Sequence, residues 1–285
     1  MKPTISATIL LLVIAPLVLA QNTGKAIEAY NEGLRLQQLG DAVNAAKAYD
    51  RAIALDPKLV DAYNNRANLR LANGDTTGAI ADLSKVIEIT PKHALSFYNR
   101  GIIHLEAQNY DAAIKDFSIA ITILDGLTNS YDRRAHAMSY NNRGNALSAM
   151  GDFKAAMPDY DRSLTILPKS LEALTSRGAA LQQLGDHKAA VADYTLALDI
   201  APKSTLVLYN RASALEEVDK NAAISDYTAL IALAPDHANA YARRGLMYLE
   251  LKMKAAAAAD LRKAISLDPS LKADYGEHLT LALSK

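Results

Sequence analysis

Along residues 137–170 the apolar and small residues fall on two stripes. Tyr140, Gly144 and Leu147 form the first, and Ala156, Tyr160 and Ser163 the second, each spaced four then three. That spacing returns to one face of a helix, so it predicts two short helices that each bury one side. Gly151-Asp152 separates them and Pro168 stops the second, the local signals that end helices. The unit recurs on both sides. Prolines stand at 57, 91, 168, 202, 235 and 269, and the one long interval holds two units and a nine-residue insertion. A period of about 34 marks a stacked helix–turn–helix array.

Counting positions within the unit, position 20 is Ala45, Ala79, Ala113, Ala156, Ala190, Ala223 and Ala257. Position 8 is Gly33, Ala67, Gly101, Gly144, Gly178, Ala212 and Gly245. Gly inside a helix costs about 0.5–1 kcal/mol relative to Ala. Glycines kept in phase therefore imply close approach of the two helices, with bulk at positions 4 and 24 filling the space between. With these small residues, aromatics at 4 and 24 and Pro at 32, the chain from 26 to about 271 resembles the tetratricopeptide repeat family. The resemblance implies an all-α fold, a right-handed α-α superhelix of about seven helix-turn-helix repeats plus a C-terminal capping helix.

The repeats are read as 26–59, 60–93, 94–127, 137–170, 171–204, 205–237 and 238–271. The third has Asp125 in place of the proline, and 205–237 lacks the turn glycine and is one residue short. Residues 128–136 are the insertion, marked as a loop by Gly126 and Asn129-Ser130, with Arg133, Arg134 and His136 placed to begin an extended first helix. It reads as a tolerated loop insertion, with an extra contact surface as the alternative. Residues 272–285, with Tyr275, Leu279 and Leu283, read as a helix covering the last repeat's stripe.

Residues 1–20 pair one charge, Lys2, with an apolar run from Ile9 to Leu19 and small residues before Gln21. They read as a signal peptide cleaved after Ala20; a membrane anchor or buried helix is the alternative, against which Pro16 and the short run argue. Residues 21–25 are then a polar linker, and the expected location is the periplasm or outside the cell, with no membrane span once the signal is cleaved. Net charge is zero, which gives no reason to expect nucleic acid or an anionic surface. The chain has no cysteine, so disulfides, thiolate metal sites and cysteine nucleophiles are excluded.

Two polar columns run through the repeats. Position 7 is Arg66, Arg100, Arg143, Arg177, Arg211 and Arg244, and position 23 is Asp82, Asp116, Asp159, Asp193, Asp226 and Asp260. The first repeat has neither, carrying Glu32 and Ala48. Both columns lie at the edge of the helix–helix seam, and a structural Arg–Asp bridge is predicted, with an anion site as the alternative. Position 6, far from the packing stripe, is Asn31, Asn65, Asn99, Asn142, Ser176, Asn210 and Arg243, with Asn64, Asn68, Asn141 and Asn145 beside it. The family resemblance implies that this face lines the concave groove. An Asn column there is similar to the peptide-gripping asparagine ladder in the repeats of O-linked N-acetylglucosamine transferase. One acceptor and two donors per amide match a peptide unit. Asn is also common at this position in the general pattern, and Ser176 and Arg243 interrupt the column.

The carboxylate-clamp mode of the family needs Lys and Arg at positions 2, 5 and 6; here only Arg243 stands among them. Glu216, Glu217 and Glu250 suggest a partner with basic residues, and Tyr30, Tyr98 and Tyr209 offer apolar anchors. No two of the six histidines are three or four apart, and His104, at a normally apolar position, reads as a satisfied core residue. No phosphate-cradling glycine loop is present, and no cofactor, metal or catalytic constellation is expected. The sequence thus points to a non-enzymatic scaffold that binds a protein or peptide in its groove. A self-associating structural scaffold of the cell envelope is the alternative.

Overall fold

The computed structural model describes residues 11–127 and 129–284, with side chains from residue 23 onward. The charged start of the expected signal peptide, its first apolar residues and the side chains at the expected cleavage point lie outside the described residues. Among the described residues there are fifteen α-helices, one 3-10 turn and no strand. No described helix is long and apolar enough to cross a membrane.

The helices fall into two compact units, one ending at Asp125 and one beginning at Gly126. The first holds α1 (Leu11–Gln38), α2 (Ala42–Leu55), α3 (Val60–Ala72), α4 (Thr76–Ile89), α5 (Ala94–Glu106) and α6 (Tyr110–Leu124). The second holds α7 (Ser130–Ala149), α8 (Phe153–Ile166), α9 (Leu171–Gln183), α10 (His187–Ile200), α11 (Thr205–Leu215), α12 (Lys220–Leu233), α13 (Ala238–Glu250), α14 (Lys254–Leu267), a 3-10 turn at Pro269–Leu271 and α15 (Lys272–Leu283). Within each unit every helix packs on the next. α15 lies on α14, where Ala282 buries against Ala257 and Ala258.

The turns within repeats follow from two residues. Gly40, Gly74, Gly151 and Gly185 take φ of 79–85°, a conformation that costs glycine little. The next residue, Asp41, Asp75, Asp152 or Asp186, caps the second helix by accepting a backbone N–H three residues on. Gln108 and Lys252 adopt the same left-handed backbone without glycine, at φ 59° and 62°. The helix-phase glycines have the other role. A Cβ on Gly144 would stand 2.8 Å from the Tyr160 ring, and Gly33, Gly101 and Gly178 meet Tyr49, Phe117 and Tyr194 in the same way.

Two boundaries differ from the sequence reading. Residues 21–25 are not a linker but part of α1, and Ala26 is already fully buried. After Pro16 only Gly24 disfavours helix there, and one glycine costs only about 1 kcal/mol. The inserted loop ends at Asn129, whose side chain accepts the Asp132 N–H at 2.8 Å and caps α7. Residues 130–136 are helical, so the extended first helix expected at Arg133, Arg134 and His136 is present, begins at Ser130 and makes α7 20 residues long. The loop signals Gly126 and Asn129 act as a stop and a cap.

Candidate partner-binding face

Each seam arginine meets the aspartate of its own repeat through a two-pronged fork. Nε and Nη2 of Arg100 donate to Asp116 at 2.7 and 2.8 Å. Arg66–Asp82, Arg143–Asp159, Arg177–Asp193, Arg211–Asp226 and Arg244–Asp260 repeat this geometry. The aspartates are buried. The carboxylate bonds hold the guanidinium of Arg100, Arg143, Arg211 and Arg244 above its usual range, against the opposing effect of burial. A third bond runs to the preceding repeat. Nη1 of Arg66 reaches Asp50, Arg100 reaches Ser84, Arg177 reaches Asp161, Arg211 reaches Thr195 and Arg244 reaches Thr228. One arginine therefore ties three helices. This acceptor column, position 25, escapes a search for one residue type because it mixes carboxylates and hydroxyls. In the repeat at 26–59, where position 7 is Glu32, that carboxylate instead accepts from Arg51 at 2.5 Å.

The buried phenols are likewise satisfied from within. Tyr49 donates to Gln37 at 2.7 Å, Tyr194 to Gln182 at 3.4 Å and Tyr227 to Glu216 at 2.6 Å, and Tyr160 bonds Ser148 and Asn145 at 2.9 and 3.0 Å. Burial pushes the Tyr160 phenol up to about 12 and raises those of Tyr194 and Tyr227 as well.

Against this background the asparagines separate. Asn65 donates to Tyr30 Oη at 2.9 Å. Asn145 is held by the Tyr160 hydroxyl, and Asn142 accepts from Asn141 and Asn145 at 3.3 and 3.5 Å. These three are engaged within the protein. Asn31 and Asn68 are exposed, Asn99 and Asn210 half-buried, and none of the four side chains has a hydrogen-bond partner among the described residues. Asn99 and Asn210 belong to different units.

Several expected partner contacts are already occupied. Arg243 is not a free groove cation: Nε donates to Glu216 at 2.8 Å and Nη2 donates to the same carboxylate. The reason is distance in sequence, since Glu216 lies 27 residues earlier in the neighbouring repeat. Glu216 is consequently buried and not offered to a basic partner, and Glu250 binds Lys220 at 2.6 Å. Tyr98 is buried, Tyr30 accepts from Asn65, and Tyr209 packs on Tyr227 and His237. His104 is not satisfied, because its Nδ1 is sealed without a partner while Nε2 stands 4.0 Å from Asp116. Among the described residues no three metal-ligating side chains come together.

Tetratricopeptide repeat family models match residues 30–94, 92–169, 141–205 and 238–271. Two curated relatives, tetratricopeptide repeat protein 36 of Mus musculus and of Homo sapiens, are 42% and 41% identical over 59 residues, 21% of this chain. The match spans 31% and 30% of those proteins. A tetratricopeptide repeat protein of Parabacteroides merdae superposes with a TM-score of 0.63 at 18% identity, covering 92% of this chain and all of that one. PilF of Pseudomonas aeruginosa gives 0.62 at 17%, covering 82% and 99%. YrrB, described as having an unusual peptide-binding site, gives 0.55 at 21%, covering 73% and 99%.

Proposed function

The chain belongs to the tetratricopeptide repeat family, and from that premise we propose that it is a non-enzymatic scaffold that holds an extended segment of a partner protein against the first helices of its repeats. The observation that carries the proposal is selective satisfaction. Arg, Asp and Tyr at the neighbouring positions are bonded inside the protein, while the amides of Asn31, Asn99 and Asn210 at position 6 are not. An amide with both donors and its acceptor open matches a peptide unit, and such contacts favour an extended chain with little side-chain preference. The peptide-binding site described for YrrB, a structure of the same fold, is consistent with this use. The partner is a protein or peptide rather than nucleic acid, as the zero net charge suggests.

The test is selection of binders from a displayed random heptapeptide library against the full chain. Replacing Asn31, Asn99 and Asn210 together by Ala removes about 0.5–1.5 kcal/mol per bond, so affinity for the selected peptides falls by about two- to tenfold for each amide a peptide engages, with helicity unchanged. Equal affinity in the triple variant contradicts the proposal. We further propose export, with the mature chain beginning at Gln21; N-terminal sequencing of the protein from its native cell decides it, and an intact Met1 start overturns it.

A further inference from the structure

Two cavities open side by side in the second unit. One, of about 380 Å³, is walled by Pro168 and Lys169 after α8, Leu174 of α9, and Leu196, Asp199 and Ile200 of α10. The other, of about 410 Å³, is walled by Leu171 of α9 and by Ala201, Pro202, Lys203 and Ser204 of the turn into α11. Leu171 and Leu174 stand about one helical turn apart, and Ile200 and Ala201 are consecutive, so the two cavities adjoin. Both fall in the range of about 300–1,000 Å³ that takes an organic group. Neither is lined by a position-6 residue.

The walls are apolar at places that face solvent. Leu196 is 51% and Ile200 41% exposed. Leu196 stands at position 26, where four other repeats carry Arg51, Lys85, Arg162 and Lys263. An exposed apolar patch rimmed by charge is the form an interaction site takes. The rim here is unbalanced. Lys169 and Lys203, at position 33 of consecutive repeats, are exposed and make no ion pair among the described residues. The one carboxylate among the lining residues is Asp199, whose charge acts on Arg211. Two lysines against one aspartate leave a positive edge, which favours a negatively charged partner.

We infer that the paired cavities are a second docking site, for a partner segment that seats two large apolar side chains in them and sets flanking Asp or Glu residues against Lys169 and Lys203. The scaffold would then hold two segments at once, one along the asparagines and one here. The two sites share no residue, so this one stands or fails separately from the function proposed above.

The displayed heptapeptide library tests it when panned on the full chain carrying Asn31→Ala, Asn99→Ala and Asn210→Ala, which leaves these cavities intact. That chain enriches peptides with two large apolar residues flanked by Asp or Glu. Adding Leu196→Arg, the residue type of Arg51 and Arg162 at the same phase, keeps Tm and weakens binding of the selected peptides about tenfold through loss of apolar contact. Adding Lys169→Glu and Lys203→Glu moves the selection to peptides flanked by Lys or Arg. Enrichment of nothing, or of peptides that bind both variants as tightly as before, overturns the site whatever the asparagines do. If Leu196→Arg lowers Tm, the lysine pair decides alone, and unchanged selection of acidic peptides overturns the site. A mass in sedimentation equilibrium that doubles with concentration, and stays monomeric in Leu196→Arg, would make the occupant a second copy of this chain and overturn it too.

Discussion

Position 24 and position 12 vary together. Where position 24 is Tyr49, Tyr160, Tyr194 or Tyr227, position 12 is Gln37, Ser148, Gln182 or Glu216, each bonded to that phenol. Where position 24 is Leu83, Phe117 or Leu261, position 12 is Leu71, Leu105 or Leu249. The cause is the cost of a buried hydroxyl without a partner, about 1–3 kcal/mol. Gln37→Leu therefore destabilises by about that amount, and adding Tyr49→Phe recovers most of it; a double-mutant cycle by chemical denaturation reads the coupling. The same phenols set the alkaline limit. A phenol whose pKa is higher folded than unfolded contributes its stability in full below about pH 10 and loses it as pH rises through the folded value. For Tyr160 that window runs from about pH 10 to about 12. Tm should hold steady up to its lower edge and fall above it, and Tyr160→Phe should fall less steeply. The arginine forks make the opposite case to a surface ion pair. Arg100→Met strands Asp116, which is 3% exposed, and should cost about 3–5 kcal/mol in urea unfolding.

At the level of helices, much was legible because each signal recurs. Gly-Asp turns, the terminal prolines and the Arg and Asp phases repeat at one period, and the helices and forks are where those residues put them. What was not legible lacked repetition. The start of α7 lies in the only insertion, whose Asn129 works as a cap and not as part of a longer loop. The Arg243–Glu216 pair joins two repeats at positions where the others carry Asn or neutral residues, so no column announced it. The open amides could not be told from the engaged ones, since Asn65 and Asn99 occupy the same phase and differ only in whether a Tyr stands opposite. One helix also runs against its own sequence. α8 contains Pro158 in its interior, where a missing N–H and a ring clash cost about 3 kcal/mol. Pro158→Ala should stabilise by about 1–3 kcal/mol, measured as a higher urea midpoint at unchanged slope.

At the scale of the molecule, function rests on a division of labour. Charged and aromatic groups join helix to helix within each unit, and in the proposed function the position-6 amides that lack an internal partner are the ones another chain would use. The direct measurement is NMR of the Asn side-chain amides on the full chain, before and after addition of a heptapeptide selected from the library. The account predicts that the amide signal of Asn99 or of Asn210 shifts on binding while that of Asn145, held by Tyr160, stays in place. Shifts confined to residues outside the position-6 column, with Asn99 and Asn210 unmoved, would contradict it.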